Sequence, residues 1–377
     1  MGSPKPAMGG CRWRGSGRFL VIPLRSPDDA RQPTAIALGS FDGLHEGHRR
    51  VIRAAVEGAA ATAGGPELVP TVVSFWPHPR EVLGGETRLR LDLPAEKLHL
   101  LQPLGIEQLV LVPFTPALST LSPRAFVDAV LVGQLRAGLV AVGENFRFGA
   151  GRSGDADALI HLAGIHGVRV AVLPMLEDGG DRLSSSRIRR ALGGGELDEA
   201  ARLLGRPYRF GGRVVSGRGL GRQLGWPTAN LQVDGRKFLP LEGVYAARVW
   251  RLDGVPPELD ATEEAEAARR DPLMDPSPAA AMAAVMNLGP QPTVDPDAPS
   301  AVEVHLLERR LDLCDAELLV EPVALLRRQQ RFPDLEALVA QIGADAARAR
   351  DLLSAAGVGV GEAPADEGGD RPKQQNP

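Results

Sequence analysis

Short apolar runs at 34–38, 69–75, 108–112, 139–142 and 168–173 alternate with stretches whose apolar residues recur at helical spacing. Unbroken apolar runs of that length suit strands covered on both faces, so the alternation predicts a parallel sheet wrapped by helices. Helices are expected over 49–56, from the Ser122-Pro123 cap and first-turn pair to Leu135, and over 155–163. Gly193-Gly194-Gly195 reads as a flexible break before a last short helix at 196–204. From Tyr208 onward strand patterns follow one another without regular helices, which puts the start of a second domain at about residue 206. Its strands include 284–289 and 301–307; in the latter Glu303 and His305 face one way while Val302, Val304 and Leu306 face the other. The acidic, Ala- and Pro-rich stretch from Asp253 to about Ala281 interrupts this series and is expected to be an inserted, mostly solvated loop. An amphipathic helix at 335–353 closes the domain. Residues 1–17 read as a mobile leader and the polar, glycine-rich residues 357–377 as a disordered tail.

Composition narrows the classes. At 377 residues, 44% hydrophobic and 24% charged, the chain has material for two cored domains. A net charge of −4 offers no global basic field for nucleic acid, so any anionic ligand must be held by local groups. The two cysteines, Cys11 and Cys314, are far apart and without CxxC spacing, which argues against a disulfide framework and a structural zinc site and fits a reducing cytoplasm. No apolar run is long enough to predict a membrane span, and the start of the chain lacks the apolar region of a signal peptide.

The most informative stretch is Leu38-Gly39-Ser40-Phe41-Asp42-Gly43-Leu44-His45-Glu46-Gly47-His48, which joins a buried strand to a helix through three glycines. The free N–H groups and positive dipole end of that helix point at the turn, a ready position for a polyphosphate. His45 and His48 share one face of the first turn, and each can donate a ring N–H to a phosphate oxygen. Neither needs to act as a base, because a phosphate nucleophile is already ionised at neutral pH. A zinc pair or two surface histidines are the alternatives; the metalloprotease pair has its second His four residues on, and here it comes at three. The string resembles the His-x-Gly-His signature of nucleotidylyltransferases, and in its longer form, Gly-x-Phe-Asp-Gly-x-His-x-Gly-His, that of the prokaryotic bifunctional riboflavin kinase/FMN adenylyltransferase (FAD synthetase) family.

Three further segments carry the resemblance in the first domain. Ser74-Phe75-Trp76-Pro77-His78-Pro79-Arg80 ends the second strand, where two prolines force an extended turn that holds an aromatic and a basic edge towards one cleft; it resembles the family's Phe-x-Pro-His-Pro. Gly143-Glu144-Asn145-Phe146-Arg147-Phe148-Gly149 is similar to Gly-x-(Asp/Asn)-Phe-x-Phe-Gly, and an amide, aromatics and an Arg suit a planar heterocycle bearing phosphate. A packed loop core is the rival reading for Phe146 and Phe148. Ser184-Ser185-Ser186-Arg187-Ile188-Arg189 resembles Ser-Ser-(Ser/Thr)-x-Ile-Arg, either a capped basic helix or an anion site.

In the second domain, Gly217, Gly219, Gly221 and Gly225 permit close approach of backbone to phosphate, weak evidence that Pro227-Thr228-Ala229-Asn230 sharpens. Thr228 and Asn230 alternate along an extended segment, so their oxygens share a face suited to Mg²⁺. The stretch resembles the riboflavin kinase nucleotide loop, and 239–246 the strand that follows.

The resemblance implies an α/β nucleotidylyltransferase-type Rossmann-like domain at 18–205, followed at 206–356 by an antiparallel β-barrel of riboflavin kinase type with a C-terminal helix. It implies that the barrel phosphorylates riboflavin with ATP·Mg²⁺ to FMN, and that the first domain transfers AMP from ATP to FMN, giving FAD and pyrophosphate. His45 and His48 then stabilise charge on the α-phosphate. Gly39, Phe41, Asp42, Gly47, Ser185, Ser186, Arg187 and Arg189 bind the nucleotide, and Phe75, His78, Asn145 and Arg147 the flavin. In the barrel Gly217, Gly219, Gly221, Thr228 and Asn230 hold ATP, Thr228 and Asn230 the metal, and Glu303 is the base. A ribityl hydroxyl, unlike a phosphate, keeps its proton at pH 7 and calls for a carboxylate; without the resemblance Glu303 reads as an exposed Glu on a half-buried strand.

The barrel departs from the family pattern at Gln291, at Cys314-Asp315 and at Gln329, which replaces an acid between Arg327 and Phe332. Losing one charge-assisted hydrogen bond costs about 1.5–3 kcal/mol, so a working but altered kinase is expected. A monofunctional adenylyltransferase with an idle barrel, or a non-catalytic flavin-binding regulatory protein, are the alternative functions.

Overall fold

The computed structural model describes residues 22–61, 66–85, 89–217, 221, 224–252, 270–271, 273–289, 302–307 and 311–358. The leader, Gly219, Gln291, the insertion's first part and the tail from residue 359 lie outside the described residues.

In chain order the first half holds β1 (Leu24–Arg25), β2 (Thr34–Leu38), α1 (Glu46–Ala60), β3 (Val69–Trp76), α2 (Pro79–Gly84), α3 (Pro94–Leu101), β4 (Gln108–Pro113), α4 (Pro116–Ser119), α5 (Pro123–Phe126), β5 (Ala137–Gly143), α6 (Ala156–Gly164) and β6 (Arg169–Leu173). The hairpin β7 (Glu177–Asp178) and β8 (Asp181–Arg182) follows, then α7 (Ser185–Gly194) and α8 (Leu197–Leu204). Six strands pair in parallel in the order β1-β4-β3-β2-β5-β6. Every residue of β2 is buried, as its unbroken apolar run requires of a central strand. On α1, Val51, Ile52 and Ala55 recur at helical spacing and pack on the sheet. Ser122 caps α5 as its sequence suggests, but the turns that follow, Val127–Gln134, widen to π geometry. Asp155 caps α6 through the Ala158 N–H.

The glycine triplet is no flexible break: Gly193 and Gly194 finish α7, and Gly195, at φ +79°, is the left-handed cap from which α8 starts at once. The second half comprises β9 (Phe210–Val215), β10 (Ala229–Gln232), β11 (Gly243–Arg251), β12 (Met282–Leu288), β13 (Val302–Leu306), β14 (Glu317–Arg327) and α9 (Leu335–Ala355). The strands close an antiparallel barrel in the order β10-β13-β12-β11-β14-β9. Along β11, Tyr245, Ala247 and Val249 point into the barrel, while Val244, Ala246 and Trp250 meet Ala346, Ala349 and Leu353 of α9 outside. The strand is apolar on both faces because α9 covers the outer one.

The described end of the insertion, expected to be mostly solvated, is packed in part, with Asp275, Pro278 and Ala279 exposed. Leu273, Ala280 and Ala281 are buried, the Trp250 Nε1–H donates to the Ser277 carbonyl at 2.9 Å, and Asp271 meets His99 of α3 at 3.0 Å. Beyond α9, Val358 also packs into the outer barrel cluster. Among the described residues no helix is long and apolar enough to cross a membrane.

Candidate active sites

Between β2 and α1 the chain turns through Phe41 at φ 45°, Gly43 at φ 90° and Leu44 at φ 40°. Two non-glycine residues in the left-handed region need external support. Asp42 supplies it: its buried carboxylate accepts from the Leu91 and Asp92 N–H groups at 2.9 and 3.2 Å and pairs with Arg189, while Gly43 N–H donates to Asp92 at 2.8 Å. A Cβ on Gly43 would stand 2.8 Å from Leu91 Cδ1, so this position needs glycine for space as well as for φ.

The turn delivers His45 as the N-cap of α1 and His48 one turn on. Their rings stack at 3.7 Å and 21°, with Phe41 edge-on to His48 at 5.5 Å. A Cβ on Gly47 would lie 3.2 Å from His45 Cε1, so the glycine makes room for the ring. The Nδ1 atoms of both histidines are buried without a partner among the described residues. Buried polar atoms are normally paired, so this is a place where a ligand's oxygens would be met by waiting groups. Burial, reinforced by the charge of Arg182, lowers the His45 pKa to about 4. Burial also holds His48 well below its ordinary value, helped by His45, Lys97 and Arg182. Both rings are neutral at pH 7, and each carries one N–H to donate.

A pH dependence follows. Between pH 6.5 and about 4 the unfolded chain protonates His45 and the folded chain does not, so this group's contribution makes stability fall as pH drops through that window. From pH 7 to pH 5 the loss through His45 is about 2 kcal/mol. Urea unfolding of His45→Gln should lose that much less over the same interval than the parent, and an equal loss in both proteins would refute the assignment.

Two cations near the pair escaped the sequence reading. Lys97 of α3 is buried and donates to the Ser40 carbonyl at 2.9 Å, its pKa lowered by burial. Arg182, exposed on β8, meets Asn145; with the amide oxygen turned towards the guanidinium, the contacts are 2.6 and 3.3 Å. Arg187 and Arg189, expected to hold phosphate, are neutralised in place. Arg187 pairs with Asp178 and Glu199 at 2.9 and 2.8 Å, and Arg189 with Asp42. Ser184 caps α7, the Ser185 hydroxyl donates to the Asp42 carbonyl at 2.8 Å, and Ser186 is exposed at the same helix start. The two helix N-termini thus meet at one turn.

The residues expected at the flavin follow the carboxyl ends of β3 and β5. Phe75 stands edge-on to Phe114 at 5.9 Å and tilted to Phe126 at 6.2 Å; Phe126 meets Phe148, which stacks on Phe146 at 5.5 Å. Phe148 and Phe126 belong to the core, while Phe146 and Phe75 are only partly buried at its rim. His78 caps α2, its Nδ1 accepting from Arg80 N–H at 3.2 Å, and Asn145 and Arg147 are exposed.

In the barrel, antiparallel register sets Glu303 of β13 directly opposite Asn230 of β10 on one side and Asn287 of β12 on the other. Directly opposed residues share a face, so a carboxylate lies between two amides on the outer surface. A Cβ on Gly217 would lie 1.9 Å from Asn230 Nδ2, so the Asn230 amide occupies the space that this glycine leaves. A Cβ on Gly221 would meet the Trp226 carbonyl at 2.4 Å and Thr228 Oγ1 at 3.1 Å. Hydroxyl and amide oxygens are hard donors of the kind Mg²⁺ takes, so Thr228 and Asn230 fit the ion. His305 Nδ1 contacts the Pro227 carbonyl at 2.7 Å, and its ring stands edge-on to Trp226 at 5.1 Å.

Of the departures, Gln329 Nε2 donates to Asn287 Oδ1 at 2.7 Å and to the Leu288 carbonyl at 2.9 Å. The carbonyl accepts only, so nitrogen must face it, and Asn287 must turn its oxygen to Gln329. A carboxylate at 329 could not bond the Leu288 carbonyl and would accept from Asn287 only with that amide turned over. Cys314 is exposed, and Asp315 pairs with Arg213 on the surface at 3.0 Å.

Comparison with known proteins covers both halves. Residues 28–187 match the FAD synthetase family and residues 204–353 the riboflavin kinase family. The bifunctional riboflavin kinase/FMN adenylyltransferase of Pseudomonas fluorescens is 38% identical over 89% of this chain and 98% of its own. The protein of that name from Escherichia coli (strain K12) is 34% identical over 84% of this chain and 92% of its own. Among solved structures, one described as a macrolide-efflux protein from Streptococcus pneumoniae superposes with a TM-score of 0.69 at 26% identity, covering 88% of this chain and 99% of that one.

Proposed function

Belonging to the bifunctional riboflavin kinase/FMN adenylyltransferase family, this chain is a transferase that makes FMN from riboflavin and FAD from FMN, and we propose how its residues divide that work. The adenylyltransferase domain runs over 18–205 and the kinase domain over 206–356, the junction falling between Gly205, which caps α8, and Phe210, which opens the barrel.

In the first domain a phosphate oxygen of FMN attacks the α-phosphorus of ATP and the bond to the β-phosphate bridge breaks, releasing pyrophosphate. No proton need be removed. His45 and His48, neutral and fixed by stacking, donate N–H groups to the oxygens on which charge builds, and the α1 and α7 N-termini add their dipoles. Gly39, Phe41, Asp42 and Gly47 form the turn that binds the nucleotide. Ser185 and Ser186 face the nucleotide at the start of α7, and Lys97 and Arg182 supply the positive charge that Arg187 and Arg189 spend on acids. Phe75, His78, Asn145 and Arg147 edge the flavin.

In the barrel the ribityl hydroxyl attacks the γ-phosphorus of ATP, its proton passes to Glu303, and ADP leaves. Thr228 and Asn230 would hold Mg²⁺, which would offset the charge of the phosphates. Gly217, Gly219 and Gly221 line the nucleotide. The ligands are small molecules, and the site of action is the cytoplasm.

The observation that carries the adenylyl-transfer reading is the buried, stacked histidine pair with partnerless nitrogens at a helix N-terminus. Chromatography of flavins after incubation with ATP, Mg²⁺ and either riboflavin or FMN tests both halves. Riboflavin should yield FMN and FAD, and added FMN should yield FAD; FAD from FMN alone would mean that the departures in the barrel have silenced the kinase.

A further inference from the structure

Residues 90–92 form a strip bonded on one side to the barrel and on the other to the nucleotide turn. On the barrel side Arg90 N–H donates to the Arg236 carbonyl at 2.7 Å and Phe238 N–H to the Arg90 carbonyl at 2.8 Å. Between those bonds Lys237, 1% exposed, sends its ammonium to the Leu91 carbonyl and to Glu96 Oε2, both at 2.7 Å, across the ring of Tyr208. On the other side the Leu91 and Asp92 N–H groups hold the Asp42 carboxylate, and Asp92 holds Gly43 N–H. Arg206, at the domain junction, clamps both Asp92 and the Gly43 carbonyl, at 2.8 and 2.9 Å. Glu96 and Lys97 are neighbours on α3, and Lys97 reaches Ser40 of the same turn. The Asp42 carboxylate and the Gly43 N–H, which the strip holds, are thereby tied at one remove to a lysine of the other domain.

We propose that Lys237 of the kinase barrel is a positioning residue for adenylyl transfer. It holds the strip on which the nucleotide turn hangs, so the turn keeps the left-handed backbone that aims His45 and His48 only while the barrel is docked. The proposal rests on the reading of residues 39–48 as the ATP site of the adenylyltransferase. Lys237 lies in the turn between β10 and β11 and is no member of the Asn230–Glu303–Asn287 row, so the kinase reaction is expected to be independent of it.

The test uses the full chain and reads both reactions in each protein. In Lys237→Met the KM for ATP in FAD formation from FMN should rise about ten- to a hundredfold, the range for loss of a charged hydrogen bond, while KM and kcat for FMN formation stay at parental values. Because Met leaves the Glu96 carboxylate buried without its cation, with only the Leu93 N–H at 2.8 Å, a second variant, Lys237→Met with Glu96→Leu, replaces the ion pair by apolar groups, an exchange that buried pairs often tolerate. Its melting temperature should return to the parental value while the KM for ATP stays raised. A parental KM for ATP in the double variant, or parallel loss of both activities in the single one, would overturn the proposal by reducing Lys237 to a stability contact. His48→Ala is run beside them. If it left FAD formation intact, the site beneath the proposal would be misassigned; if it abolished FAD formation while Lys237→Met left the KM for ATP unmoved, the positioning role alone would fall.

Discussion

Glu303→Gln is expected to slow FMN formation from riboflavin by about 10²–10⁴-fold, the range that a positioned general base contributes, and to leave FAD formation from supplied FMN unchanged. Glutamine keeps the size of the side chain and its place between Asn230 and Asn287 but cannot take the ribityl proton. The flanking Val302 and Val304 remain in the barrel core, so β13 keeps its register and the nucleotide face formed by Thr228 and Asn230 is not disturbed. The loss should therefore appear in kcat, with the KM for ATP little altered. Steady-state rates with riboflavin and with FMN, measured on the same preparation, separate the outcomes. FMN formation at the parental rate would remove Glu303 from the chemistry, and loss of both reactions in a folded protein would contradict two separate sites.

What was legible in the sequence was what local pattern decides. The run at 34–38 became β2 with the same bounds, because a strand buried on both faces is apolar throughout. The turn from Gly39 to His48 was legible because glycines and histidines at short spacing carry their geometry with them. The fate of Arg187 and Arg189 was not, since their partners Asp178, Glu199 and Asp42 reach them only through the β7–β8 hairpin, α8 and the β2–α1 turn. Lys97 and Arg182 gave no signal: one is an ordinary helical lysine, the other an exposed arginine on a two-residue strand. The insertion reads as an acidic, Ala- and Pro-rich solvated loop, yet at its end Asp271 and Ser277 are held by His99 and Trp250, so contacts from both domains, not composition, decide how far it is buried. Tertiary pairing of charged groups is where pattern stops being informative.

His48→Ala is expected to slow FAD formation from FMN by about 10²–10³-fold, the loss seen when one preorganised donor to a developing oxyanion is removed. Riboflavin should then accumulate as FMN, because the kinase site is untouched, and that accumulation is an internal measure that the protein is folded. The substitution removes a ring that stacks on His45 and meets Phe41 edge-on, so part of the loss could come from a loosened His45 rather than from a missing donor. His48→Gln separates the two contributions and also separates donor from base. A glutamine amide presents N–H groups at similar reach but cannot accept a proton at neutral pH. Since burial keeps the imidazole neutral well below pH 7 and the FMN phosphate is already ionised, a donor is all the reaction asks of this position. Glutamine should thus recover a good part of the rate that alanine loses, with a pH profile for FAD formation unchanged in shape. Failure of glutamine to recover any rate, together with loss of an ionisation from that profile, would mean that His48 moves a proton and that the charge-stabilisation account of this site is wrong.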